Sequence, residues 1–167
     1  SLEIGAGYWI RLANDEPLSF TGFENNEMQI TIMEGWNMIG GLSTQIDIND
    51  GLIDNEEILL IPTLYGFIDG GYENVSSLNP GYGYWIRSTA DGQVTLTSTP
   101  ATLSREFPDI SAGLENLNVL EINGKSIYFG GEFSEIVKLW YSLPPKFEGI
   151  LNDVRFADNT YVSENGG

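Results

Sequence analysis

Hydrophobic and polar residues alternate at a period of two along most of this chain. Met28-Gln29-Ile30-Thr31-Ile32-Met33 carries that pattern, which is the signature of a half-buried β-strand. Gly35-Trp36-Asn37-Met38-Ile39-Gly40-Gly41 reads as a buried strand closed by glycines. Ile58 to Leu60 and Gly66-Phe67-Ile68 predict short strands, and Asp69-Gly70-Gly71 predicts a turn leading into Tyr72. Further on, Asn118–Ile122 and Lys125–Phe129 alternate on either side of Asn123-Gly124; Asn-Gly between two such runs is a strong hairpin signal. Val137 to Leu143, a break at Pro144-Pro145, and Val154-Arg155-Phe156 complete the β pattern. No segment holds a helical period over three turns; Ser134 to Tyr141 comes nearest and is short. The expected fold is all-β: two β-sandwich-like units built from antiparallel hairpins, over about residues 1–100 and 101–167.

An internal repeat organises the first unit. Leu2-Glu3-Ile4-Gly5-Ala6-Gly7-Tyr8-Trp9-Ile10-Arg11 recurs as Leu78-Asn79-Pro80-Gly81-Tyr82-Gly83-Tyr84-Trp85-Ile86-Arg87, displaced by 76 positions without a gap. Each copy predicts a hairpin. Paired glycines turn the chain, and Tyr-Trp-Ile-Arg forms one strand. A polar turn follows, and the second strand is Leu18-Ser19-Phe20-Thr21 or Val94-Thr95-Leu96-Thr97. The leading hairpin, with Tyr8, Trp9, Ile10, Leu18 and Phe20, lacks the front half of its module. A lone hairpin is marginal in water, so it must pack on this chain or on a neighbour.

Composition narrows the chemistry. The 167 residues contain no histidine and no cysteine. That removes imidazole bases, thiol nucleophiles, disulfides and His- or Cys-ligated metals. Lys and Arg number 7 against 24 Asp and Glu, for a formal charge of −17. This disfavours nucleic acid and anionic lipid surfaces as partners. Apolar runs such as Ile58-Leu59-Leu60-Ile61 fall far short of the roughly 20 residues of a spanning helix, so no membrane insertion is expected. The first residues carry no signal-peptide pattern, as a trimmed secreted product would also look.

Trp36-Asn37-Met38-Ile39-Gly40-Gly41, Tyr65-Gly66-Phe67 with Gly70-Gly71-Tyr72, and Leu78-Asn79-Pro80-Gly81-Tyr82-Gly83-Tyr84-Trp85-Ile86 occur in this order. They resemble a GWN…GYW-type β-rich module of secreted and cell-surface proteins from bacteria using type IX secretion. The second unit is similar to the segment that often follows it and precedes the C-terminal sorting domain. It matches through Leu120-Glu121-Ile122, Ile127-Tyr128-Phe129-Gly130, Tyr141-Ser142-Leu143-Pro144-Pro145 and Asp153-Val154-Arg155-Phe156. The resemblance implies an extracellular or cell-surface address and names no reaction. The basic residue usual between the module's glycines is replaced by Tyr82 here and by Ala6 in the first copy.

Three sets of residues are candidates for function. Loop aromatics Tyr65, Tyr72 and Tyr82, beside Asp69, Glu73 and Asn74, suit sugar stacking with flanking hydrogen-bond acceptors, although aromatics also dominate β cores. Asp47, Asn49, Asp50 and Asp54 cluster around Gly51. They fail the EF-hand spacing but suit an irregular calcium site, the one cofactor the sequence admits. The 24 acids select no carboxylate pair for glycoside hydrolysis, and Gly81-Tyr82-Gly83 lacks the rest of a phosphate loop. The expectation is a non-catalytic extracellular structural or interaction module. Its partners would be further copies of itself, as a filament joined by strand addition through the N-terminal hairpin, or other surface proteins. The alternative is a carbohydrate-binding module.

Overall fold

The computed structural model describes residues 3–10, 12–14, 17, 19, 21–61, 63–99, 109–147 and 150–164. Its first unit is a sandwich of two antiparallel sheets. One sheet holds β1 (Glu27–Ile32), β9 (Gly92–Thr97) and β4 (Leu52–Ile53) in the order β1-β9-β4. The other holds β2 (Gly35–Gly40), β8 (Gly83–Ser88), β5 (Tyr65–Ile68) and β6 (Gly71–Asn74) in the order β2-β8-β5-β6. A short pair, β3 (Ile46–Asp47) with β7 (Ser77–Leu78), and a helical turn, α1 (Ile48–Gly51), close the side. The alternation of apolar residues sets the inner faces. Ile30, Ile32, Val94, Leu96 and Leu52 from one sheet meet Ile39, Tyr84 and Ile86 from the other, all within one buried cluster. Burial of branched aliphatics on a pleated surface is the main driving force for such a layer.

The second copy of the repeat is not a hairpin. β8 pairs with β2 and β5, whereas β9 pairs with β1 and β4, so the chain crosses from one sheet to the other through Thr89–Asp91. The buried Ser88 hydroxyl donates to the Ile58 carbonyl at 3.0 Å and lies 2.7 Å from the Ala90 carbonyl, and Thr89 N donates to Ile58 O at 2.8 Å. These contacts turn the chain out of the sheet's plane. β1 and β2 are joined by a similar crossing at Met33-Glu34, braced by Asn37, whose Oδ1 accepts from Met33 N (2.9 Å) and whose Nδ2 donates to Met33 O (2.7 Å). The two crossings nest, and Glu34 N donates to Asp91 Oδ1 at 2.7 Å.

The leading copy also departs from a hairpin. Tyr8, Trp9 and Ile10 form no strand, and Leu18 and Phe20 lie outside the described residues. Instead residues 5–7 add to the free edge of β2. Gly7 N donates to Met38 O (3.0 Å), Gly40 N donates to Gly5 O (2.9 Å), and Ala6 bridges Ile39. The copies therefore flank β2 on both sides, Ala6 on one edge and Tyr84 on the other, each opposite Ile39. Gly5 and Gly81 share a left-handed backbone, with φ of 86° and 79°.

In the second unit, the Asn-Gly hairpin forms as expected: β10 (Asn118–Ile122) pairs with β11 (Lys125–Phe129), with Asn123 and Gly124 both at positive φ. Its third strand is β12 (Val162–Ser163), parallel to β11; Val154–Phe156 forms none. Val137–Leu143 is not a strand either. Its first part belongs to α2 (Glu135–Trp140), started by Ser134, whose hydroxyl accepts from Val137 N. Ile58–Leu60 contributes only a single bridge, Leu59 to Ser88. No helix among the described residues is long and apolar enough to cross a membrane.

Candidate functional site

Strand periodicity gives the four-stranded sheet a second, outward face. Tyr84 and Ile86 point into the aliphatic core, so Trp85 and Arg87 point out. Trp36, Tyr65, Phe67 and Tyr72 join them, with ring centroids 6.0 Å apart for Trp36 and Tyr65, 6.5 Å for Trp36 and Trp85, and 5.9 Å for Phe67 and Tyr72. The Arg87 guanidinium stacks 5.7 Å above Trp36. The second unit covers this face. Phe147 packs on Phe67 at 5.4 Å, the Tyr72 hydroxyl donates to Pro145 O at 2.9 Å, and Leu151 N donates to Gly70 O at 3.1 Å. The aromatics thus form a layer between the units rather than the core of the sandwich.

Two openings in that layer are lined by its aromatic rings. The first is a cleft of about 280 Å³ between β5 and β6 on one side and β11 with the loop at 152–154 on the other. Tyr65, Tyr72, Glu73 and Asn74 supply the sandwich wall; Lys125, Ser126, Tyr128, Leu143, Asp153 and Tyr161 supply most of the opposite one. Lys125 Nζ meets Glu73 Oε1 at 2.6 Å across it. Burial pushes the Tyr65 phenol far above its ordinary value, and its hydroxyl is buried without a hydrogen-bond partner among the described residues. Tyr161 is pushed up as strongly by burial, then by the neighbouring Tyr65, Tyr141 and Tyr128. Behind the wall, Asp153 Oδ1 accepts from Arg155 Nε at 2.8 Å, and Arg155 Nη1 donates to Pro144 O at 2.7 Å.

The second is a groove of about 210 Å³ lined by Tyr8, Trp9, Met38, Phe67, Tyr82 and Trp85, together with Gly81 and Gly83. Tyr82 is two-thirds exposed, while Tyr8 and Trp9 are about half exposed. Tyr8 is anchored by its hydroxyl, which accepts from Glu3 N at 2.8 Å.

Four of the six expected ligand residues, Tyr65, Tyr72, Glu73 and Asn74, therefore converge on one cleft. Tyr82 lies in the other groove. Asp69 sits exposed in the β5–β6 turn at φ 49°, where its carbonyl accepts from Asn152 Nδ2 at 3.3 Å. Nothing in the sequence pattern singles out Asp153, Tyr128 and Tyr161 for this role; the Asp-x-Arg spacing of Asp153 and Arg155 is the available sign of an ion pair.

Of the expected calcium residues, Asp47 and Asn49 meet, while Asp54 is engaged with the backbone. Asp47 Oδ1 caps α1, accepting from Asn49 N and Asn49 Nδ2, each at 2.8 Å. Asp54 turns both carboxylate oxygens to the backbone, accepting from Ile58 N at 3.1 Å and Leu59 N at 2.9 Å. Among the described residues no three acidic side chains gather as a metal site would need.

No family model, no curated protein and no solved structure matches this chain.

Proposed function

We propose that this chain is a non-catalytic structural and interaction module of an extracellular or cell-surface protein, acting as a self-contained stalk unit. The observation that carries the reading is the placement of the N-terminal segment. Residues 5–7 cover the open edge of β2 in their own chain, and Trp9 packs against Phe67 of the sandwich and Phe147 of the second unit. An edge covered this way is protected from pairing with another chain, which favours a stalk over a filament built by strand exchange. The extracellular address rests on the resemblance of its GWN and GYW segments.

The test is deletion of residues 1–21, followed by sedimentation and electron microscopy of both proteins. The full chain is expected to sediment as a monomer, and the deleted chain to lose stability without any change in assembly. Fibres of the full chain that disappear on deletion would overturn the stalk reading in favour of the filament.

A second reading, a carbohydrate-binding module, is favoured by the convergence of Tyr65, Tyr72 and Glu73 on one cleft. Electrophoresis through gels containing soluble glycans, with the Tyr82→Ala variant and a cleft variant alongside, tests it. Unretarded migration on every glycan ends it.

A further inference from the structure

We infer that the cleft between the two units is a site for one uncharged sugar ring, oriented by Asp153. This rests on the carbohydrate reading and narrows it to a place, a ligand class and an orienting group.

One buried acceptor at the cleft has no donor among the described residues. The Asp153 side chain is 5 % exposed and lines the cleft. Its Oδ1 is taken by Arg155, but its Oδ2 is buried without a hydrogen-bond donor. Lys146 Nζ is 3.8 Å from it, too far for a hydrogen bond. Buried carboxylate oxygens are nearly always satisfied, because an unmet one is costly. A ligand hydroxyl donating to Oδ2 supplies what the fold leaves out.

The carboxylates lining the cleft are already paired. Asp153 is countered by Arg155 at 2.8 Å and more distantly by Lys146 at 3.8 Å, and Glu73 by Lys125. Lys146 is 62 % exposed and outside the cleft's lining, so the lining itself, among the described residues, holds no cation left over for a uronic or sialic carboxylate and no anion left over for an amino sugar. In a partly desolvated site, a charged ligand would go uncompensated. A neutral polyol matches.

The cleft's volume of about 280 Å³ lies at the small end of ligand pockets, which suits a single ring rather than a stretch of chain. Tyr128, Leu143 and Val154 give it apolar wall, while Ser126 and Asn152 stand exposed at its rim. A sugar ring, with C–H faces and a hydroxyl edge, is complementary to that division.

The experiment uses the whole chain and saturation-transfer NMR against uncharged mono- and oligosaccharides, with uronic-acid and amino-sugar counterparts in parallel. Saturable binding of an uncharged sugar is expected. Asp153→Asn is expected to weaken it about tenfold or more, the loss of one hydrogen bond to a charged group. Because Asp153→Asn strands Arg155 and can impair folding, Ser126→Trp is made as well. It fills the mouth from an exposed strand position, and should abolish binding while leaving the melting temperature unchanged. Uncharged sugars that bind equally well to both variants, or binding restricted to charged sugars, would overturn the inference and leave the carbohydrate reading standing. Absence of binding by every sugar removes both.

Discussion

The ring of Trp9 lies 4.1 Å from that of Phe147, centroid to centroid, with their planes 34° apart. Trp9 also meets Phe67 edge-on at 5.0 Å, so one N-terminal side chain touches both units. Aromatic contacts of this kind add about 0.5–1.5 kcal/mol beyond their buried area. Because the ring is about half exposed, Trp9→Ala is expected to cost roughly 1–2 kcal/mol, below the about 3–5 of a fully buried aromatic. Urea denaturation measures this, and proteolysis of the N-terminal segment should accelerate in the variant. An unchanged midpoint and cleavage rate would mean that the contact contributes nothing to docking.

Two carboxylates that bind backbone amides should differ in weight. Asp54 is buried and holds Ile58 N and Leu59 N, so Asp54→Ala strands two donors beside the core, at about 1–3 kcal/mol for each left unsatisfied. Asp91 accepts one bond, from Glu34 N, in an exposed setting, where water can replace it. Asp91→Ala is expected to cost about 1 kcal/mol or less. Equal losses in chemical denaturation would remove Asp54 from the organisation of the 54–59 loop.

The strands themselves were legible because period-two burial is written directly into Met28–Ile32, Gly83–Ser88 and Gly92–Thr97. What joins them was not. Tyr84, Ile86, Val94 and Leu96 face inward, and that alternation reads the same whether the two strands pair in one sheet or face each other from two. The deciding contacts, from Ser88 and Thr89 to Ile58, join residues about 30 positions apart, beyond any local pattern. The same holds for the cleft. Tyr65 and Tyr72 were visible as aromatics in turn-rich sequence, but Asp153 reaches them only when the second unit folds over the sheet. The helix at Glu135–Trp140 was hidden by shortness: six residues cannot establish a period of 3.6, and the Ser134 cap was the only local sign.

Alkaline pH should unfold the protein through its buried phenols. Burial holds Tyr65 and Tyr161 well above their ordinary value. In the unfolded chain a tyrosine loses its proton near pH 10, so above that pH the folded state binds more protons than the unfolded one. Stability is therefore intact below about pH 10 and falls as pH rises further. The tyrosinate absorbance of these two residues is expected to appear together with the loss of near-ultraviolet circular dichroism, and Tyr161→Phe should move that transition to higher pH. Reversible ionisation of both, ahead of unfolding, would show that the phenols are reached by water in the folded state.

The glycines of the two repeat copies give the sharpest test of the N-terminal docking. Gly81 has φ 79°, and a Cβ there would meet nothing within 4 Å. Gly81→Ala therefore pays only for a left-handed backbone, about 1–2 kcal/mol, and the segment at 5–7 should stay in place. Gly7 has no such conformational need, but its Cβ would lie 2.6 Å from Met38 Cγ and 2.9 Å from Ile39 O. The second of these is backbone in the middle of β2 and cannot move aside without breaking the pairing with β8. Gly7→Ala is thus expected to lift residues 5–7 off the sheet. Hydrogen exchange at the Gly40 amide, which donates to Gly5 O, should accelerate sharply in Gly7→Ala and change little in Gly81→Ala. The reverse order would mean that the N-terminal segment is not held against β2 by these two bonds.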